Sequence, residues 1–119
     1  MKIRTKDLIG PALNWAVARV IALGTDQLRI IGQDVLIKNC DDLILCRFST
    51  DWEQGGPIID REDIHWGFGT KDGNKVVIAS KFGHHVKPLL GPTPLIAAMR
   101  CFVQSRLGDK VEIPEELMK

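Results

Sequence analysis

The segment Ser49-Thr50-Asp51-Trp52-Glu53-Gln54-Gly55-Gly56-Pro57 gathers hydroxyls, a carboxylate, an indole, an amide and two adjacent glycines. That mixture suits capture of a ligand better than bond making. Gly55 and Gly56 can take backbone angles closed to other residues, which lets amides converge on an anion or lets a ligand approach the chain. Trp52 can cover a base or another flat ring. The structural alternative is a tight turn whose indole plugs the core. A second candidate is Gly91-Pro92-Thr93-Pro94, which opens a helix, since free amides at a helix N-terminus favour an anion. Thr93 also suits plain capping there, and Pro94 removes one donor. Arg61 and Arg100 can supply forks for phosphate or carboxylate, or can form surface ion pairs worth about 0 to 1 kcal/mol. The candidate ligand-binding set is therefore Thr50, Asp51, Trp52, Gln54, Gly55, Gly56, Arg61, Gly91, Thr93 and Arg100.

Catalysis and metal binding find less support. His84 and His85 are adjacent, so in a strand they face opposite sides and only in a loop could they share a metal, and the usual ligand spacing is missing. Cys40, Cys46 and Cys101 are odd in number and lack CxxC spacing, which favours reduced, buried thiols over a disulfide framework or a zinc knuckle. The phosphate-cradling, dinucleotide and zinc-protease strings are all missing, as is a nucleophile elbow. No catalytic residue, metal site or cofactor is expected.

These residues must be held by regular elements. Pro11 and Gly24 bracket a first helix over about 11–23, with Leu13, Ala16, Val17, Val20 and Ile21 on one side. Trp15 falls on the other side, away from the apolar stripe. Leu28–Ile31 and Val35–Lys38 form a hairpin about Gly32, and Leu43–Phe48 adds a third strand after a turn at Asn39 to Asp42. The run from Ser49 to Pro57 reads as a loop. Ile64, Trp66 and Phe68 alternate with His65 and Gly67, and the turn Lys71-Asp72-Gly73-Asn74 leads into a strand at Lys75–Ser80. Lys81 to Leu90 reads as a loop with room for a short strand. Thr93 and Pro94 start a second helix over 94–107, which Gly108 ends. Lys110–Ile113 is a last strand before Pro114. Small residues, Ala18 and Ala22 on the first helix and Ala97, Ala98, Cys101 and Ser105 on the second, would let the helices touch or let two copies pair. The predicted fold is α+β: an antiparallel sheet of four to six strands with the two helices packed against it.

A length of 119 residues fits one domain spanning 1–119 with one modest core. Hydrophobic residues at 45% and charged residues at 26% match a globular chain, and a formal charge of +1 gives no global pull toward nucleic acid or an anionic membrane. Any anion site must therefore be local. No run approaches a membrane span and the first residues lack a secretory core, so a cytoplasmic location is expected. Duplex DNA is not an expected partner, because neither helix is basic and some seventy residues separate them.

Two long strings, Ser49 to Ile59 and Gly91 to Val103, resemble the NinX proteins of lambda-like tailed phages. Leu13 to Ala18 and Gly108 to Pro114 match in the same order, while Thr25 to Asp42 and His65 to Lys87 lie outside the matching strings. The resemblance implies a small accessory phage product made in a bacterial cell, and it brings no activity with it. Three function classes follow. The leading one is a non-enzymatic protein that captures a small anionic or nucleotide-like ligand for host takeover or counter-defence. The second is an adaptor that grips a host or phage protein through Trp15 and Trp52, and the third is a small enzyme.

Overall fold

The structure is a computed structural model that describes residues 1–22, 27–39, 42–81 and 87–118. Among the described residues, α1 (Gly10–Ile21), α2 (Trp52–Arg61) and α3 (Pro94–Leu107) accompany β1 (Lys2–Arg4), β2 (Leu28–Ile31), β3 (Asp34–Asn39), β4 (Asp42–Leu45), β5 (Ile64–Lys71), β6 (Asn74–Lys81), β7 (Leu89–Gly91) and β8 (Lys110–Glu112). The α+β class is as predicted. The strands, however, divide among three antiparallel sheets, ordered β1-β8, β2-β3-β4 and β5-β6-β7.

Local chemistry accounts for most of these boundaries. Pro11 sits in the first turn of α1, and Thr93 Oγ1 accepts from Ile96 N at 3.2 Å to cap α3. Gly108, at φ +85°, ends α3 where a side chain would be strained. The β5–β6 turn places Asp72 and Gly73 at φ +52° and +81°, the pair of positive angles that matches the right-handed twist of a hairpin.

Two expectations are corrected. The first concerns Ser49 to Pro57, whose second half belongs to α2 despite two glycines and a proline. Asp51 caps that helix by accepting from Glu53 N at 2.9 Å, and tertiary packing outweighs the low helix propensity. A Cβ on Gly55 would lie 2.6 Å from both Leu95 Cδ2 and the Phe48 carbonyl oxygen, so glycine is what lets α2 come this close. The second is Trp15, which is buried in the core with Arg19 over its ring, because α1 is covered on more than one side. It cannot anchor a partner. The small-residue surface does bring the helices together: α1 packs on α3, and Ala18, Ala97, Ala98 and Cys101 are fully buried.

The core centres on α3, which contacts all three strands of the β5-β6-β7 sheet as well as α1, α2 and β8. Leu95 to Met99 and Cys101 to Val103 are buried, so the helix is enclosed on nearly every side. Burial pushes the Cys46 and Cys101 thiols up to about 11, and both are free. Cys40, the turn at Asn39 to Asp42, Gly24, Gly83, His84 and His85 fall wholly or partly outside the described residues.

Close approach also governs β7. A Cβ on Gly91 would stand 2.7 Å from Ala97 N and 2.9 Å from Ala97 Cα, both backbone atoms, whereas one on Gly56 meets only Trp52 Cε3 at 3.7 Å. Gly91→Ala should therefore lower stability by roughly 1 to 3 kcal/mol through overpacking, while Gly56→Ala should be neutral or raise it by up to about 1 kcal/mol through better helix propensity. Urea unfolding of the two variants measures the contrast, and equal effects would contradict it.

Candidate ligand-binding site

The start of α2 and the start of α3 meet. Ser49, Thr50 and Trp52 on one side and Thr93, Pro94, Leu95 and Ile96 on the other line a depression of about 210 Å³. Three predicted residues, Thr50, Trp52 and Thr93, thus share one place. Thr50 is exposed, and Trp52 is 51% exposed. The hydroxyl of Ser49 is already used, since both its N–H and its Oγ–H donate to Asn14 Oδ1, at 3.0 and 2.8 Å.

Other predicted residues hold the fold. Gln54 accepts from Arg47 N at 2.6 Å and donates to the Leu45 carbonyl at 2.7 Å, closing the segment between β4 and α2. Asp51 caps α2, and Gly55 and Gly91 permit close packing. Gly56 lies against Trp52. Arg61 is exposed and ion-paired with Glu62 at 3.5 Å. Arg100 stands apart from Trp52, lining a different cavity. Its Nε donates to the Leu8 carbonyl and its Nη1 to the Leu90 carbonyl, each at 2.7 Å, so this arginine braces β7 and the segment before α1. Burial pulls its basicity down, and the nearby Asp7 raises it.

The residues that sequence reasoning passed over lie on the β5–β6 hairpin. Trp66 and Phe68 pair with Ala79 and Val77, so all four project from one face of the sheet. Ala79 and Val77 are buried, yet Trp66 is 41% and Phe68 61% exposed. Position in the sheet explains the difference: β5 is an edge strand and β6 the central one of the β5-β6-β7 sheet, and α3 packs more extensively on β6 than on β5, so the rings of the edge strand lie at the border of the helical cover. Trp52 from α2 joins this strip. Its ring centroid is 6.4 Å from that of Trp66, which in turn is 5.9 Å from Phe68 in an edge-on arrangement. Lys75 Nζ stands 4.1 Å from the Phe68 centroid and closes the row. The legible signal was two bulky rings spaced i, i+2 on one strand of a hairpin.

Lys75 also lines a second, larger cavity, a groove of about 1020 Å³. The hairpin adds Lys71 to its lining, and Lys87 and Arg100 flank β7. Arg4, Lys6 and Lys110 come from the paired termini. Among the described residues, seven basic side chains line this groove against two acids, Asp7 and Asp109. A chain that is nearly neutral overall therefore carries a strongly positive groove. The local charge favours an anion here more than at the start of α2, where Asp51 and Glu53 oppose one.

Alignment of Trp52 depends on α2, whose far end is tied by Glu62. That carboxylate is 9% exposed and accepts from Lys81 Nζ at 2.9 Å and Arg106 Nη2 at 2.6 Å, joining α2, β6 and α3. Burial pushes its pKa up, but the hydrogen bonds and charges of Lys81 and Arg106 more than offset this and hold it at about 2, below 4.5. A lowered carboxyl pKa contributes stability that is present above the unfolded value and lost as pH falls through the folded one. Glu62→Gln should therefore cost roughly 1.5 to 3 kcal/mol near neutral pH. The gap from the parent protein should shrink between pH 4.5 and about 2. Chemical denaturation across that range measures it, and a gap independent of pH would show that Glu62 is not held ionised.

Among the described residues, no group of three or more His, Cys, Asp or Glu side chains could hold a metal, and no helix is long and apolar enough to cross a membrane. No curated protein matches the chain. A comparison with protein families does find a match, to the family described as Bacteriophage P22, NinX, over residues 4–106. The matched span runs from β1 to the last turn of α3 and so takes in the Trp52 depression, the aromatic strip and most of the groove lining. The chain belongs to the NinX family of phage proteins.

Proposed function

We propose that this phage protein is a non-enzymatic binder of an anionic, nucleotide-like ligand. The observation that carries the reading is the position of Lys75, whose ammonium lies on the Phe68 ring and also lines the basic groove. Flat-ring recognition and phosphate recognition are therefore contiguous surfaces. Bases would lie on Trp52, Trp66 or Phe68, and phosphates would meet the lysines of the groove. Arg100 is not the primary phosphate fork in this reading. Truncating it would strand the Leu8 and Leu90 carbonyls and destabilise the chain. A role in host takeover or counter-defence fits the family context and the capture of a nucleotide-like molecule.

One observation favours a protein adaptor instead: three exposed aromatic side chains in contact form the kind of cluster that anchors protein interfaces. Trp15 takes no part in it. Thermal denaturation with linear and cyclic nucleotides, dinucleotides and sugar phosphates separates the two. A ligand present at a hundred times its dissociation constant should stabilise the chain by roughly 2.7 kcal/mol, a rise in Tm of about ten degrees for a domain of this size. Trp52→Ala should remove most of that rise while leaving the unliganded Tm within a few degrees. A flat response across the whole set would rule out the ligand reading in favour of the adaptor.

A further inference from the structure

Ring spacing and groove size narrow the ligand class, an inference that rests on the binding reading above. A mononucleotide carries one base and needs one ring. Here three exposed rings stand in a row, with centroids 6.4 and 5.9 Å apart. Bases in a helical strand are about 3.4 Å apart, so rings at this spacing suit bases drawn out of a helix. Adjacent rings are also inclined, by 51° for Trp52 and Trp66 and by 86° for Trp66 and Phe68. A rigid parallel stack does not fit such a row, whereas a flexible strand can turn each base to its own ring. Duplexes keep their base faces inside the stack and present mainly edges and phosphates.

The charges extend the same path. Beyond Phe68, Lys75 leads into a groove of about 1020 Å³, at the upper end of the roughly 300 to 1,000 Å³ typical of small-molecule pockets. Its excess of lysine and arginine over acid is spread along the hairpin, β7 and the paired termini, and so is not focused on one point. A focused cluster would suit a single phosphate; a spread one suits a row of phosphates. Aromatic platforms beside a positively charged track are the two components by which proteins hold unpaired strands without reading sequence.

We propose that the chain binds single-stranded nucleic acid, with bases laid on Trp52, Trp66 and Phe68 and the sugar-phosphate backbone passing over Lys75 into the groove bordered by Lys71, Lys87 and Lys6. Near-neutral net charge is consistent with this, because the field that matters is local to the groove.

The test is fluorescence anisotropy with labelled oligothymidylate and oligouridylate of about 12 nucleotides, within the roughly 4 to 16 that one small domain can cover. A duplex of the same length and thymidine monophosphate serve as competitors. At least one of the single strands should bind about tenfold or more tightly than either competitor. Trp66→Ala and Phe68→Ala should each weaken it by about fivefold or more, the loss expected when one base loses its ring. Phe68 is the more exposed of the two, so its variant leaves the core intact, and circular dichroism should be unchanged. Lys75→Ala should reduce the slope of log affinity against log salt by about 0.7, one phosphate contact on a single strand. If the monophosphate binds as tightly as the 12-mers, the strand inference falls and the small-ligand reading stands. Equal binding of duplex and single strand, insensitive to both ring variants, also overturns the inference. Binding of none of these molecules overturns both readings.

Discussion

Enclosure of α3 is the constraint on which the rest of the structure depends. The chain surrounds this one helix with a sheet, two further helices and a pair of terminal strands, and that is what buries Leu95 to Met99 and Cys101 to Val103. Each large apolar side chain so buried contributes roughly 1.5 to 3 kcal/mol, which makes α3 the main source of cooperativity. Access to it from two directions requires a missing Cβ: Gly91 lets β7 reach the Ala97 backbone, and Gly55 lets α2 reach Leu95. Arg100 and Glu62 then lock the periphery. Arg100 ties α3 to the Leu8 and Leu90 carbonyls, and Glu62 ties the end of α2 to Lys81 and Arg106. Polar groups in this molecule serve mainly to fix how elements meet the central helix.

That enclosure has a geometric remainder. β5 is an edge strand of its sheet, so the same face that supplies Val77 and Ala79 of the central β6 to the core leaves Trp66 and Phe68 outside it. The packing that places α2 against α3 also sets Trp52 beside Trp66. Bringing the chain termini together in the β1-β8 pair, with the Met1 amino group donating to Glu112 Oε1 and the Ile113 carbonyl, puts Arg4, Lys6 and Lys110 on the border of the groove. Ring strip and charged groove are thus products of one packing arrangement, and Lys75 is where they meet.

Local signals in the sequence were sufficient wherever the chain obeys its own short-range chemistry. Thr93-Pro94 and Gly108 bracket α3, Pro11 opens α1, and Asp72-Gly73 closes a hairpin, all as their residue types predict. They fail where contacts distant in sequence decide. Gly55-Gly56-Pro57 reads as a break, and α2 forms there because α3 rewards a bare backbone at Gly55. Trp15 looks solvent-facing on a one-sided helix, but α1 is covered from more than one direction. Of the candidate site, the shared location of Thr50, Trp52 and Thr93 was legible, whereas Arg100 proved to be a brace. Trp66, Phe68 and the lysines of the groove could not be assembled from sequence, because only the strand order of the sheet and the pairing of the termini reveal them.

A joined surface makes a demand that neither half makes alone. Two-dimensional NMR of the chain titrated with oligothymidylate reads both halves at once, through the indole N–H signals of Trp52 and Trp66 and the backbone amides beside Lys75 and Lys87. The account predicts that all four regions shift together along one saturation curve, while the indole of buried Trp15 stays in place. Shifts confined to the groove, with both exposed indoles unmoved at saturation, would contradict it.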